Sequence, residues 1–448
     1  MRRKRFFNAG ILAALTSLAV LLTSISSLSG PAGIQSVTKL DKDRGQVMLA
    51  VIKADIEHHY YDPAFHGMNL DERFKTANQK IEEASSNGQI FGIIAQVLIE
   101  LDDSHTFFIP PTRASRVDYG WQMETIGDRC FVVAVEPGSD ADAKGVRPGD
   151  ELLSVGGYPP VRSQLWKLKY LIYILRPVPS VRVVLRNQSG ERQVDLACKI
   201  KPGKQTIDLT GGNGGNDIWE LIRDQENLEK VRAHRYVEIG DDLFIWKMPA
   251  FDLSPDEVDK LMAKAGKRKA LIIDMRGNPG GAVVSLQRLI SSVIDHDVTI
   301  GDLKRRKDPK PLIAKGRANA FSGKLVLLVD SESGSCAELF ARVIQLEKRG
   351  VVLGDQTAGK VMLSGVYGHE TGTDTIIPYE VSVTDADVIM TDGKSLEKVG
   401  VTPDQMILPT VADLYANRDP VLSAAAALAG LKIDPQKAGA MFPVEWRK

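Results

Sequence analysis

The apolar positions change period three times along the chain. Between residues 41 and 112 they recur at helical spacing: Met48, Val51, Ile52 and Ile56 first, then the stretches Leu70–Ser85 and Phe91–Leu101. Tyr60-Tyr61-Asp62-Pro63 breaks that pattern and Ile109-Pro110-Pro111 ends it. In residues 113–202, Phe131–Val135 reads as a short strand and Val181–Arg186 and Gln193–Lys199 alternate with period two, around one helical stretch, Ser163–Leu175. A Gly-, Lys- and Thr-rich linker covers 203–235. From 236 to 448 continuous apolar runs alternate with amphipathic ones, which predicts an α/β unit. Its strands are Leu243–Lys247, Ala270–Met275, Leu325–Val329 and Val351–Leu353, each an unbroken run of the kind buried on both faces. Its helices are Ser254–Ala265, one beginning at Val283, Cys336–Glu347 and Pro420–Ala429. Ser254 and Asp419 stand where N-caps belong, and Gly430 where a helix stops.

The stretch from Leu325 to Lys360 carries the candidate chemistry. A buried strand runs into the Ser- and Gly-rich turn Asp330–Ser335 and then into a helix. A serine at such a turn lies beside free backbone N–H groups that can hold an oxyanion. Its hydroxyl needs a base, and Lys360, after the next strand, could serve if burial or charge lowered its pKa from about 10.4. A second Gly-rich turn, Arg276-Gly277-Asn278-Pro279-Gly280-Gly281, follows the strand Ala270–Met275 and lets backbone amides approach a substrate closely.

These residues resemble the carboxy-terminal processing (tail-specific) serine proteases, a family related to the tricorn protease core. Ser335-Cys336-Ala337-Glu338 is similar to the family's Ser-Ala-Ser-Glu box, and Thr357-Ala358-Gly359-Lys360 to its Thr-Phe-Gly-Lys box. The Arg276–Gly281 turn resembles its Arg-x-Asn-x-Gly-Gly box, and the run Asp392 to Asp404 its closing signature. The resemblance implies a mixed sheet flanked by helices, of the crotonase/ClpP-like kind, behind a helical N-terminal region. It implies Ser335 as nucleophile, Lys360 as base, and backbone donors at Cys336 and Gly280, with Gly281 as the alternative. The family's lysine-orienting Gln is Ser364 here. Leu101-Asp102-Asp103-Ser104-His105-Thr106 resembles a further family box, and the tricorn-type branch uses a His base completed by a Glu. That makes His105 and Glu397 the alternative catalytic pair.

Residues 113–202 resemble a PDZ domain in Glu136-Pro137-Gly138-Ser139 and Arg147-Pro148-Gly149-Asp150. This implies a groove for a peptide C-terminus, with Tyr119, Gly120 and Trp121 as its carboxylate-binding loop, and protein or peptide substrates as partners.

Composition narrows the picture further. The chain has 448 residues, and 57 Lys+Arg balance 57 Asp+Glu, which gives no electrostatic case for nucleic acid. Met1–Arg5 is basic and Ile11–Leu22 apolar, the pattern of a secretory signal or a short membrane anchor over residues 1–30. Either reading puts the body outside the cytoplasm, in the envelope or secreted. The seven His form no metal-binding spacing, so neither metal nor cofactor is expected. Cys130 and Cys198 could pair or both be free. An activating partner and self-association stay open.

Overall fold

The computed structural model describes residues 37–111, 115–202, 233–372 and 376–446. The expected leader (1–30) and most of the expected linker (203–235) lie outside these. Among the described residues no helix is long and apolar enough to cross a membrane.

The catalytic half is built on a six-stranded sheet. Its spatial order is Gln405–Met406, Val351–Gly354, Lys324–Val329, Ala270–Asp274, Leu243–Lys247 and Arg235–Ile239. All neighbours run parallel except the last pair. Leu271, Ile273, Leu325 and Leu327 face one side and pack on helices Pro255–Ala265, Val283–Val293 and Cys336–Leu346. Ile272, Val326 and Leu328 face the other side, against Val421, Leu422 and Ala425 of helix Pro420–Leu428. Burial on both faces is why these strands read as unbroken apolar runs. Ser254 caps its helix in a reciprocal box with Glu257, and Asp419 caps the helix that starts at Pro420.

The N-terminal helices are Lys39–His59, Leu70–Glu82 and Asn87–Ile99. The helical region ends earlier than its pattern suggested. Phe107–Ile109 is a strand that pairs antiparallel with Ile377–Met390 in a second, five-stranded sheet. Phe108 is the buried anchor there, among Phe91 and Tyr379. This pairing carries the segment 101–106 onto the catalytic half.

Residues 121–197 form a separate five-stranded antiparallel sheet in the order Trp121–Ile126, Arg129–Val135, Glu151–Val155, Ser180–Asn187 and Gly190–Ala197. Ser115–Asp118 pairs with Lys199–Pro202, so the chain enters and leaves this unit side by side. The helix expected over 163–175 is Leu165–Lys169 extended by a wider turn, Tyr170–Leu175. All three cysteines are free, which removes the Cys130–Cys198 pairing from the two alternatives.

Two buried ionic groups tie the catalytic half together. Asp274, at the end of its strand, receives Arg276 through Nε (2.9 Å) and Nη2 (2.7 Å), and Arg276 reaches on to Asp419 (2.6 Å). Glu338, in the first turn of the Cys336–Leu346 helix, is fully buried. Its Oε1 accepts from Thr357 Oγ1 (2.5 Å) and Gly359 N (2.7 Å), and its Oε2 from Lys360 N (2.8 Å) and Ser335 N (3.1 Å). Burial pushes this carboxyl up to about 7 against four donors that favour its ionised form. Glu338→Gln keeps the volume but turns an NH2 toward backbone N–H groups. It is expected to cost about 3 kcal/mol of stability in urea unfolding, the range for leaving buried donors unpaired. An unchanged midpoint would show that the carboxylate is not what holds this loop.

Candidate active site

Ser335 stands at the sharp bend between the strand Lys324–Val329 and its helix, with φ 52° and ψ −119°. A non-glycine residue in this region is strained and persists only where its surroundings fix it. Here its amide is held by Lys360 O (2.8 Å) and Glu338, and the preceding turn by Asp330 Oδ1, which accepts from Gly277 N, Glu332 N and Ser333 N. Gly280 passes so close that a Cβ there would lie 2.5 Å from Ser335 Cβ and 3.0 Å from Cys336 N.

The backbone donors differ from expectation in one respect. Gly280 N already donates to Asn278 Oδ1 at 2.8 Å. Among the described residues the Cys336 and Gly281 amides donate to no protein acceptor, so of the two glycines Gly281 is the one whose amide is unengaged. Cys336 itself is buried, its Sγ 3.2 Å from Gly281 O, and burial raises its thiol to about 11. A second nucleophile with that pKa would be inert near neutrality.

Both candidate bases converge on the serine's surroundings. Lys360 follows directly from the Glu338-bound loop. Burial lowers its pKa, with Glu332 pulling the other way, and its Nζ lies 5.4 Å from the centre of the Trp166 ring. Among the described residues this ammonium makes no hydrogen bond. His105 lies close enough to Lys360 for that charge to help lower its pKa. Burial is the larger cause and brings it to about 4. Its loop is braced by Asp103 Oδ1, which accepts from His105 N (2.9 Å), Thr106 N (2.7 Å) and Thr384 Oγ1 (2.7 Å).

Ser104 joins His105 to Glu397, and the sequence reading did not single it out. Its Oγ lies 2.8 Å from His105 Nδ1 and donates to Glu397 Oε2 at 2.8 Å, while its amide donates to Oε1 at 2.9 Å. Glu397 Oε2 also accepts Val361 N (2.9 Å), the amide next to Lys360. Burial raises the Glu397 carboxyl, and these donors oppose it. A hydroxyl has one proton. With the Ser104 proton on Glu397, Nδ1 of His105 must donate, which leaves Nε2 as the basic nitrogen. Ser364, in the place of the family's Gln, sits 3.0 Å from Ser382 Oγ, which also bonds the His105 carbonyl (2.6 Å). It therefore supports the histidine loop rather than the lysine. Only the adjacency of Ser104 to His105 could have hinted at the link, because Glu397 lies 293 residues further on.

The antiparallel unit rests on this site. Thr125 O accepts Ser331 Oγ (2.5 Å), and Gly127 N and Arg162 Nη1 both reach Asp355 Oδ2 (2.8 and 2.9 Å). Lys169 pairs with Glu332 at 2.9 Å. The loop expected to bind a carboxylate lies at the edge of this unit's core. Tyr119 and Trp121 are buried in the unit's core, and Gly120 N is taken by Asp118 Oδ1 at 3.0 Å. Their side chains hold the unit together. Among the described residues no three His, Cys, Asp or Glu are grouped to hold a metal ion.

Comparison with known proteins bears on the fold and the family. Residues 244–407 match peptidase family S41. The tail-specific protease of Haemophilus influenzae is 24% identical over 312 residues, 65% of this chain and 41% of that protein. The carboxy-terminal processing protease CtpA of Bacillus subtilis is 22% identical over 369 residues, 78% of this chain and 72% of that protein. The chain thus spans less than half the length of the first relative and nearly three quarters of the second. Among solved structures, mature CPAF complexed with lactacystin shares the fold at TM-score 0.61 and 17% identity, over 84% of this chain and 96% of that one. Residues 244–407 are thus the part of the chain that is similar to peptidase family S41, on a fold shared with mature CPAF.

Proposed function

We propose that the protein is a serine endopeptidase that cuts unstructured protein tails through an acyl-enzyme, with Ser335 as nucleophile and His105 as general base. The observation that carries the choice of base is the Ser104 hydroxyl between His105 Nδ1 and Glu397, 2.8 Å from each. It fixes the imidazole's tautomer and orientation, the role a third group plays in a nucleophile–base–orienter set. Nε2 takes the Ser335 proton as Oγ bonds to the peptide carbonyl carbon. The oxyanion is held by the N–H groups of Cys336 and Gly281. The imidazolium then protonates the leaving amine, and water, deprotonated by the same nitrogen, releases the acid.

Lys360 is the second reading, favoured by its burial and lowered pKa. Under the first reading burial keeps the His105 imidazole neutral, and the Lys360 charge adds to it against the pull of Asp103. The antiparallel unit is proposed to act as a PDZ domain that captures a substrate's C-terminus. Its box Arg147-Pro148-Gly149-Asp150 and the helix beside the sheet support this. The basic, then apolar, N-terminus supports an extracytoplasmic site of action.

Cleavage of casein by residues 31–448 tests the base. Ser335→Ala is expected to abolish turnover. His105→Ala should lower kcat by about 1000-fold or more, and Lys360→Met by much less. If Lys360→Met is silent and His105→Ala cuts, the lysine is the base. The pH profile is an independent check. The neutral imidazole is the active form, so kcat/KM should rise with pH through about 4 and stay level through neutrality. An acid limb well above 6.5 points to the lysine instead.

Tail capture predicts a different signature. A fluorescent peptide with a free C-terminal carboxylate should bind at least about tenfold more tightly than its amidated twin, given the worth of a charge-assisted contact. Equal anisotropy curves would remove the PDZ reading and leave the peptidase reading standing.

A further inference from the structure

A cavity of about 370 Å³ lies away from the catalytic residues, where the hairpin between strands Val298–Lys304 and Pro311–Ala314 folds over the end of helix Lys39–His59. It is lined by Glu57, His58, His59, Arg305, Arg306, Lys307 and Asp385, all side chains the mechanism does not use. The hairpin reads Lys304-Arg305-Arg306-Lys307-Asp308-Pro309-Lys310, and the chain turns through a left-handed residue at Asp308 (φ 52°).

The charges around this cavity do not cancel. The Glu57 carboxylate is engaged by Lys53 at 3.1 Å, and Asp385 faces Arg305 at 3.7 Å. Among the described residues no carboxylate pairs with Arg306 or Lys307. Arg306 is fixed in place: Nη1 donates to Glu57 O at 2.6 Å, and the guanidinium lies 5.3 Å from the centre of the Phe65 ring. The Nε–H groups of Arg305 and Arg306 are buried without an acceptor. The Lys307 side chain is exposed and makes no hydrogen bond or ion pair among the described residues. His58 and His59 also line the cavity, with His59 stacked on Tyr367 at 4.2 Å.

Two cations without counter-charge, one of them held rigid, and two imidazoles face one polar space. Rigid guanidinium and mobile ammonium together suit an oxyanion that offers several acceptors at once. The volume exceeds that of a bare phosphate and leaves room for an organic body attached to it. We infer that this cavity binds a phosphate-type oxyanion, free or as the headgroup of a lipid. The inference does not depend on which base serves Ser335.

Calorimetry of the protein with inorganic phosphate, at constant ionic strength set with chloride, tests it. Saturable binding is expected in the wild type. Lys307→Gln should weaken it about tenfold, since a hydrogen bond to a charged group is worth that much, and Lys307→Glu should abolish it. Both variants change an exposed side chain without a partner, so their casein cleavage should equal that of the wild type. Sedimentation with phosphatidic acid vesicles, against phosphatidylcholine vesicles, separates the sources. Vesicle binding that phosphate competes away assigns a lipid headgroup, and phosphate binding without vesicle binding assigns the free anion. No saturable phosphate binding in the wild type, or equal binding in wild type and both variants, overturns the inference.

Discussion

One buried carboxylate holds the catalytic geometry in place. Glu338 has no water to solvate it, so it must find its donors inside the fold. It takes them from both sides of the site: the amide of Ser335 and the amides of Gly359 and Lys360, with the Thr357 hydroxyl completing the set. The nucleophile's unusual backbone angles and the path of the lysine loop are thus two ends of one electrostatic requirement. Thr357 can give its proton to Glu338 because its oxygen separately accepts Val401 N at 2.6 Å, which ties the closing segment of the domain to the same carboxylate.

The second requirement concerns a proton's position. A histidine can serve as a base only if one named nitrogen is free, and under the proposed reading the donors around Ser104 leave that nitrogen as Nε2. Glu397 accepts from two amides and a hydroxyl, the hydroxyl belongs to Ser104, and Ser104 is left as an acceptor for His105. The three residues come from the N-terminal loop and the far end of the catalytic half. What brings them together is the short strand Phe107–Ile109, which pairs with residues 380–382 and pulls the loop against the sheet. Phe107, Phe108 and Ile109 favour a strand locally, but nothing in so short a run names a partner more than 270 residues away. The antiparallel unit adds a third wall, with Trp166 beside Lys360 and Arg162 bridging to Asp355 and to the Gln356 carbonyl.

The features legible in the sequence were those with local causes. Strands buried on both faces announced themselves as Leu243–Lys247 and Ala270–Asp274, and Ser254 and Asp419 were readable as caps because a cap needs only its own first turn. The Ser335 turn and the Gly280-Gly281 turn were readable for the same reason. What escaped was set by distant partners. The competition for the Gly280 amide depends on how Asn278 turns back, the burial of Tyr119 and Trp121 on the packing of a whole sheet, and the role of Ser104 on a glutamate 293 residues away. Periodicity gave the helix over 163–175 but not its loosening into a wider turn from Tyr170 to Leu175.

The thread from Ser335 through Glu338 and Thr357 to Val401 has a consequence for biosynthesis. A ribosome makes the nucleophile well before it makes the residues that shape the site around it. Until residues 397–401 have emerged, Thr357 lacks the amide that fixes its hydroxyl, and Ser104 lacks the carboxylate that orients its neighbour. The unfinished chain therefore holds a serine without a working base. Under the proposed mechanism, proteolytic competence arrives only once the catalytic half is nearly whole.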